Sequence, residues 1–386
     1  MHDQNDRRLW TRREALGLLG AGAASVVLPR TGAAAPTFPP GAIIRTLLND
    51  ASPEAFAGAA TLFHEHLSFA ENFMPRWNAY AAETRALNGP PRPASPPAAG
   101  NTAPAAAGRS GAPASTGAFF MHDADLMADE LSAAKRQGIG LIVDGGHPDM
   151  GRDLAFLRRI SQRSGVPIVA GAGFYTQPFY PPELATMSEE QIVQALVAQV
   201  EAEPVGVFGE IGSWDDMTAT ERKVFRAIGK AHVATNLPIF THTGIPGKAA
   251  LEQLDILEDA GVAPGRVVIG HVGNLVDPNV QVHKALCRRG AFIGFDRQGG
   301  NNDGQQVPMV MALIEAGFAD QLMFSSDISN AGQMTRNEGM GYAKTLTVFV
   351  PKLKAAGASD DVLRGIMQDN PRRFLAFVPK RPRPAA

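Results

Sequence analysis

Short apolar, β-branched runs alternate with stretches of helical period along most of the chain. The runs are residues 60–63, 140–144, 168–174, 206–211, 238–241, 266–270, 291–295 and 321–324. Between them, apolar positions recur at helical spacing behind recognisable caps. Ser188 and Gln191 form a capping box at the start of one helix, whose stripe is Ile192, Leu196 and Val200. Thr218 and Glu221 open another, with Val224 and Ile228 on one face. Gly261, Gly290 and Gly317 stand where helices should stop. Strands alternating with helices predict an α/β protein with a parallel sheet, and eight repeats predict a closed (β/α)8 TIM barrel. The competing doubly wound sheet usually brings a glycine-rich phosphate loop. Gly244 and Gly247 are separated by two residues where a P-loop needs four.

Two stretches break the alternation. Arg12 and Arg13 precede an apolar run, residues 15–28, that is too short to span a membrane, which takes ~20 residues. Gly32, Ala33, Ala34 and Ala35 then offer small side chains to a signal peptidase. Residues 1–35 resemble a twin-arginine export signal. That implies transport by the twin-arginine machinery to the periplasm or the outside, with no stable membrane anchor. Residues 89–117 are a Pro/Ala/Gly/Ser tract with no residues to anchor a core, and we expect an extended or disordered insertion. Residues 36–386 otherwise read as a single domain.

Composition removes several classes. Lys plus Arg number 36 against 38 Asp plus Glu, so no basic footprint for nucleic acid exists. One cysteine, Cys287, excludes a disulfide framework, a cysteine zinc site and an iron–sulfur cluster within the chain. Gly20 and Gly22 follow no strand, so a dinucleotide fingerprint is rejected. A transition metal would have to be held by histidine and carboxylate.

Such residues fall at the expected strand ends: His64 and His66 after the first strand, Glu210 after the fourth, His242 after the fifth, His271 after the sixth and Asp327 after the eighth. In a (β/α)8 barrel all these ends open on one face. His64 and His66 are two apart, so on a strand they share a face and can grip one ion. Glu210, with two oxygens, can bridge two. The set predicts two divalent ions per chain, zinc first, with manganese or cobalt as alternatives. A pair of ions ~3.5–4 Å apart can hold a hydroxide and polarise a substrate oxygen.

The strings around these residues resemble the phosphotriesterase family of the amidohydrolase superfamily. They include residues 61–67, 151–153, 173–175, 209–212, 241–243, 270–271, 292–296, 326–327 and 370–374. The resemblance implies that His64, His66 and Asp327 hold the buried ion and that His242 and His271 hold the exposed one. It also implies a bridging hydroxide, with Asp327 as its proton shuttle. Many members bridge with a carbamylated lysine; here that position is Gly209, and the neighbouring Glu210 supplies the carboxylate, as in a glutamate-bridged subgroup. A homodimer is a further expectation from the resemblance.

Three further residues are candidate substrate contacts. Tyr175 ends the third strand and can donate to a ring oxygen, or pack as a core tyrosine. Arg297 follows the seventh strand and can meet substrate, or pair with Asp296 or Asp303. His147, after the second strand, can reach the site or serve its loop. The expected function is a hydrolase for a small-molecule lactone or carboxylic ester. An organophosphate triester and an amide or N-acyl substrate are the alternatives, and a non-catalytic metal-binding protein of the same fold is the rival class. The preference over phosphotriesters rests on a rim poor in aromatics: Trp10 lies in the export signal, Trp77 before the insertion, and only Trp214 just beyond a ligand-bearing strand.

Overall fold

The computed structural model describes residues 35–88, 119–214, 216–244, 248–275, 277, 279–300 and 302–384. Residues 1–34 of the expected export signal, and the expected insertion at 89–117, lie outside them. Eight strands form one parallel sheet in sequential order. They are β1 Ala60–Glu65, β2 Ile139–Asp144, β3 Ile168–Ala172, β4 Val205–Ser213, β5 Ile239–Thr243, β6 Val267–Ile269, β7 Phe292–Phe295 and β8 Leu322–Phe324. All eight expected runs are strands, within a few residues at each end.

Why these runs make a barrel is visible in neighbouring side chains. Phe63, Leu141, Val143, Val169, Val207, Phe240, Val268, Phe292 and Met323 pack in one buried cluster. Their chain neighbours Leu62, Ile142, Ile168, Phe208, Ile239, Ile269, Ile293 and Leu322 pack in another, with the helices. Adjacent residues on a strand point to opposite faces, so the sheet is apolar on both sides and must be covered on both. The first cluster fills the barrel, and the second seats the outer helices. Phe374, from the C-terminal helix Asn370–Leu375, stacks edge-on against Phe292 in the barrel interior at 6.0 Å. The opposite end, where the strands finish, is polar.

The barrel closes through a side chain. Ser325, just after β8, donates its hydroxyl to the His64 carbonyl at 2.7 Å and accepts the His64 N–H at 3.0 Å. The Asp327 N–H also reaches the His64 carbonyl, at 3.3 Å. The hydroxyl thus replaces backbone partners between the first strand and the segment after the last.

The helices follow their caps. Those that bear on the site are α1 Phe73–Asn88, α2 Ala124–Arg136, α3 Leu154–Ser164, α4 Glu189–Ala202, α5 Ala219–Thr235, α6 Lys248–Asp259, α7 Gln281–Arg289 and α8 Asp303–Glu315. Both capping boxes form, at Ser188 before α4 and Thr218 before α5. Gly290 ends α7 with φ +97°. Among the described residues no helix is long and apolar enough to cross a membrane.

Candidate metal centre

Glu210 sits at the middle of four imidazoles. Its Oε1 lies 2.7 Å from His242 Nδ1, 2.9 Å from His271 Nε2 and 3.3 Å from His64 Nε2. Its Oε2 lies 3.5 Å from His66 Nε2. Asp327 Oδ1 faces His66 Nε2 at 3.2 Å and His64 Nε2 at 3.9 Å. All six residues are buried or nearly so. Among the described residues two groups have the spacing to hold a metal ion: His64, His66 and Asp327, and His64, Glu210 and His271. The first coincides with the set that the resemblance implies for the buried ion. His242 enters through Nδ1, which is also 3.0 Å from His271 Nε2.

The local backbone explains how a glutamate gets here. The pairing of β4 with β5 slips between Phe208 and Ile211, so Glu210 is turned inward at an irregular step. A Cβ on Gly209 would lie 2.3 Å from the Phe240 ring and 2.7 Å from the Phe240 carbonyl oxygen. Position 209, where the resemblance implies a lysine in many members, therefore accepts glycine here and no larger residue.

One carboxylate orients two of the imidazoles. Asp296, at the end of β7, accepts the Nδ1–H of His64 at 2.9 Å and of His271 at 2.8 Å. This fixes both tautomers and leaves a lone pair on each Nε2, aimed at Glu210 Oε1. His64 Nε2 then faces Glu210 Oε1 acceptor to acceptor at 3.3 Å, which is repulsive unless a proton or a metal cation lies between, while His271 Nε2 also accepts from Arg297 Nη2 at 3.0 Å. His64 Nε2 and His66 Nδ1 are buried without a hydrogen-bond partner among the described residues. Leaving such an atom unsatisfied costs about 1–3 kcal/mol. The donor set, nitrogen and carboxylate oxygen, suits zinc, manganese or cobalt.

The electrostatics agree. Burial pushes Glu210 towards its neutral acid, but His64 and His242 outweigh it and hold the carboxyl well below the usual range. Burial lowers the His64 pKa, yet Glu210, Asp296 and Asp327 raise it well above normal, the mark of a site short of positive charge. Burial, despite Glu210, pushes His242 down to about 4, so at neutral pH it is the uncharged ligand form. Asp327 resists its own burial because Arg297, His66 and His64 keep it ionised.

The weaker candidates are placed as follows. Arg297 pairs with neither Asp296 nor Asp303. Its Nε donates to Asp327 Oδ2 at 2.7 Å, and it lines the cavity above the centre. Tyr175 also lines the cavity, but its hydroxyl is occupied: Trp77 Nε1 donates to it at 3.0 Å and His242 Nδ1 lies at 3.1 Å. His147 is fully buried beneath the cavity wall. Its Nε2–H donates to the Glu210 carbonyl at 2.9 Å, and its Nδ1 is 2.5 Å from Asp149, so it positions Glu210 and does not meet substrate.

Sequence reasoning missed three residues. Asp296 stands in the sequence reading as the end of a family-like string and as a candidate partner for Arg297, with no role at the imidazoles. Glu65 accepts from the Ser326 and Ile328 N–H groups, with Ser325 Oγ 2.8 Å away, and so holds the turn that presents Asp327. Trp77 lines the cavity on α1, with Phe73 and Tyr175. The rim is thus richer in aromatics than expected, and the argument against phosphotriesters from aromatic poverty loses its premise. The signals for Asp296 were its place at the end of a strand and its membership of the family-like string 292–296.

The cavity has a volume of about 500 Å³ and opens over His66, Glu210 and Asp327. Comparison with known proteins now adds to this geometry. The model of the phosphotriesterase family matches residues 54–375. Phosphotriesterase homology protein of Escherichia coli (strain K12) is 31% identical over 260 residues, 65% of this chain and 88% of that protein. N-acetyltaurine hydrolase of Homo sapiens is 27% identical over 274 residues, 66% of this chain and 78% of that protein. The crystal structure of the Escherichia coli protein, complexed with phosphate in its active site, superposes with TM-score 0.67 at 26% identity. It covers 82% of this chain and 99% of that one. A resiniferatoxin-binding protein from Rhodobacter sphaeroides gives TM-score 0.69 at 25% identity, over 86% and 94% of the two chains.

Proposed function

The chain belongs to the phosphotriesterase family, and from that premise we propose that it is a hydrolase whose metal centre is held by His64, His66, Glu210, His242, His271 and Asp327. The observation that carries the reading is the convergence of His64, His66 and Asp327, and of His64, Glu210 and His271, at ligand spacing, with His64 Nε2 buried and without a hydrogen-bond partner. We assign two divalent ions, zinc first, which these six residues would hold, with Glu210 at the middle of the set. When bound, they would lower the pKa of a water towards ~7 and polarise a substrate oxygen.

The chain's own residues supply the rest. Asp327 Oδ1 faces the imidazoles, while Oδ2 accepts from Arg297 and keeps a second lone pair. There it takes the proton lost by the attacking water and passes it to the leaving atom. Arg297 keeps the carboxylate ionised and in place. His147 and Asp296 hold Glu210, His64 and His271 in position. The cavity over the centre orients the acyl group.

The substrate we favour has an acyl carbonyl. A lactone or carboxylic ester is the first reading, since a planar carbonyl develops one oxyanion on attack. An N-acyl amide is the second, supported by the relatives named N-acetyltaurine hydrolase. The test is metal-loaded protein on a panel of lactones, aryl esters, N-acyl amides and phosphotriesters. Asp327→Asn should lower kcat/KM on the best substrate by at least roughly 10²–10⁴-fold, since both a ligand and a base are altered. Turnover within about threefold of wild type would remove Asp327 from the mechanism.

A further inference from the structure

One wall of the cavity is not used by this chemistry. It is built by Gln298, Gly299 and Asn302 after β7 and by Lys344, which enters from the segment before the C-terminal helices. Lys344 is 7% exposed, yet it lines the cavity. Its stem lies along Gly299, where φ is +77° and a Cβ would meet Lys344 carbons at 3.0–3.2 Å. Glycine there leaves room for the buried stem.

Among the described residues the Lys344 ammonium makes no hydrogen bond or ion pair. The surrounding carboxylates are already engaged. Glu65 is taken by the Ser326 and Ile328 N–H groups. Asp303 accepts the Gly299 N–H at 2.9 Å and pairs with Lys352 Nζ at 2.6 Å. Asp327 is held by Arg297. Beside Lys344, Gln298 is 2% exposed, and neither its Nε2 nor its Oε1 has a partner. Glu338, the other acid on the lining, is exposed at the mouth. Burial pulls the Lys344 pKa below the ordinary lysine value, against Glu65, Asp327 and Asp303. A largely buried ammonium without a protein partner is costly, and an oxyanion in the cavity would satisfy it and accept from the Gln298 Nε2–H, one of the two unpaired atoms of that amide.

We propose that this wall is an anion subsite, and that the substrate carries a carboxylate, sulfonate or phosphate group that binds Lys344 and Gln298 while its acyl group lies over the metal centre. The acyl part rests on the hydrolase reading above; the charge rests on the wall alone. Lys344 is then a specificity-determining residue.

The experiment has two arms, each with metal-loaded wild type, Lys344→Gln and Lys344→Arg, matched for metal content and Tm. The kinetic arm compares N-acetyl-β-alanine with N-acetylpropylamine, and mono-4-nitrophenyl succinate with 4-nitrophenyl butyrate. Wild type should prefer the anionic member of at least one pair by roughly tenfold or more in kcat/KM. Lys344→Gln should cut that ratio by roughly 10–100-fold, the range for a charge-assisted hydrogen bond, and Lys344→Arg should keep part of it. The binding arm titrates 1-propanesulfonate by calorimetry and needs no turnover. Its affinity should fall at least about tenfold in Lys344→Gln. Equal affinity in both proteins would mean capture by the metals alone and would overturn the subsite, as would an anion preference unchanged by Lys344→Gln. Should no panel member be hydrolysed, the hydrolase reading fails, while the propanesulfonate titration still decides the subsite. If Lys344→Gln does not fold, Lys344→Met is read by the same two measures.

Discussion

Asp296 bonds to two imidazoles that the chain separates by more than two hundred residues. Such partners of metal-binding histidines are typically worth 10–100-fold in metal affinity. Asp296→Asn keeps the shape but can no longer accept equally from both rings. We predict roughly that loss, measured by competition with a chelating dye, with the fold retained by circular dichroism. Unchanged affinity would mean that His64 and His271 are oriented by something else. At this scale the sequence was legible where residue type and strand position coincide, as at His64, His66, His242 and His271. It was opaque where function lies in a second contact. Asp296, Glu65 and His147 act through partners across the barrel, at distances along the chain that no local spacing reports.

Strand β4 carries the departure from the lysine bridge that the resemblance implies for many members. Glu210 takes the central place, and Phe240 fills the space where a side chain at position 209 would begin. Gly209→Lys should therefore not restore a lysine bridge. It should overpack the barrel, at a cost of about 1–3 kcal/mol or more, and lose metal with it. Thermal melts and metal content check this; a stable, metal-loaded variant would contradict the packing argument. The elements themselves were largely readable, because a sheet covered on both faces needs the continuous apolar runs that the sequence shows. The exceptions have physical reasons. The strands Ile44–Arg45 and Asp50–Ala51 are too short to carry a period. Helix α1 shows little amphipathic pattern, so Trp77 gave no sign that it faces the cavity.

The whole molecule places one reactive group out of reach. Cys287, on α7, is 3% exposed, and burial pushes its pKa up to about 12. In the native protein at pH 8 it should resist a thiol reagent and react fully in denaturant, at rates read by absorbance. Rapid native modification would show that α7 opens from the barrel.

The fold and the centre also depend on one another, since six buried polar residues meet where the strands end. An ion bound only to the folded protein stabilises it by about 2.7 kcal/mol at a concentration 100 times its Kd. Chelation should therefore lower Tm as well as stop turnover. The most direct test is reconstitution: strip the protein of metal, confirm this by elemental analysis, and follow hydrolysis of the best panel substrate while adding back zinc, manganese or cobalt. The account predicts no turnover without metal and activity that rises to saturation at two ions per chain. Full hydrolysis by protein shown to be metal-free would contradict it.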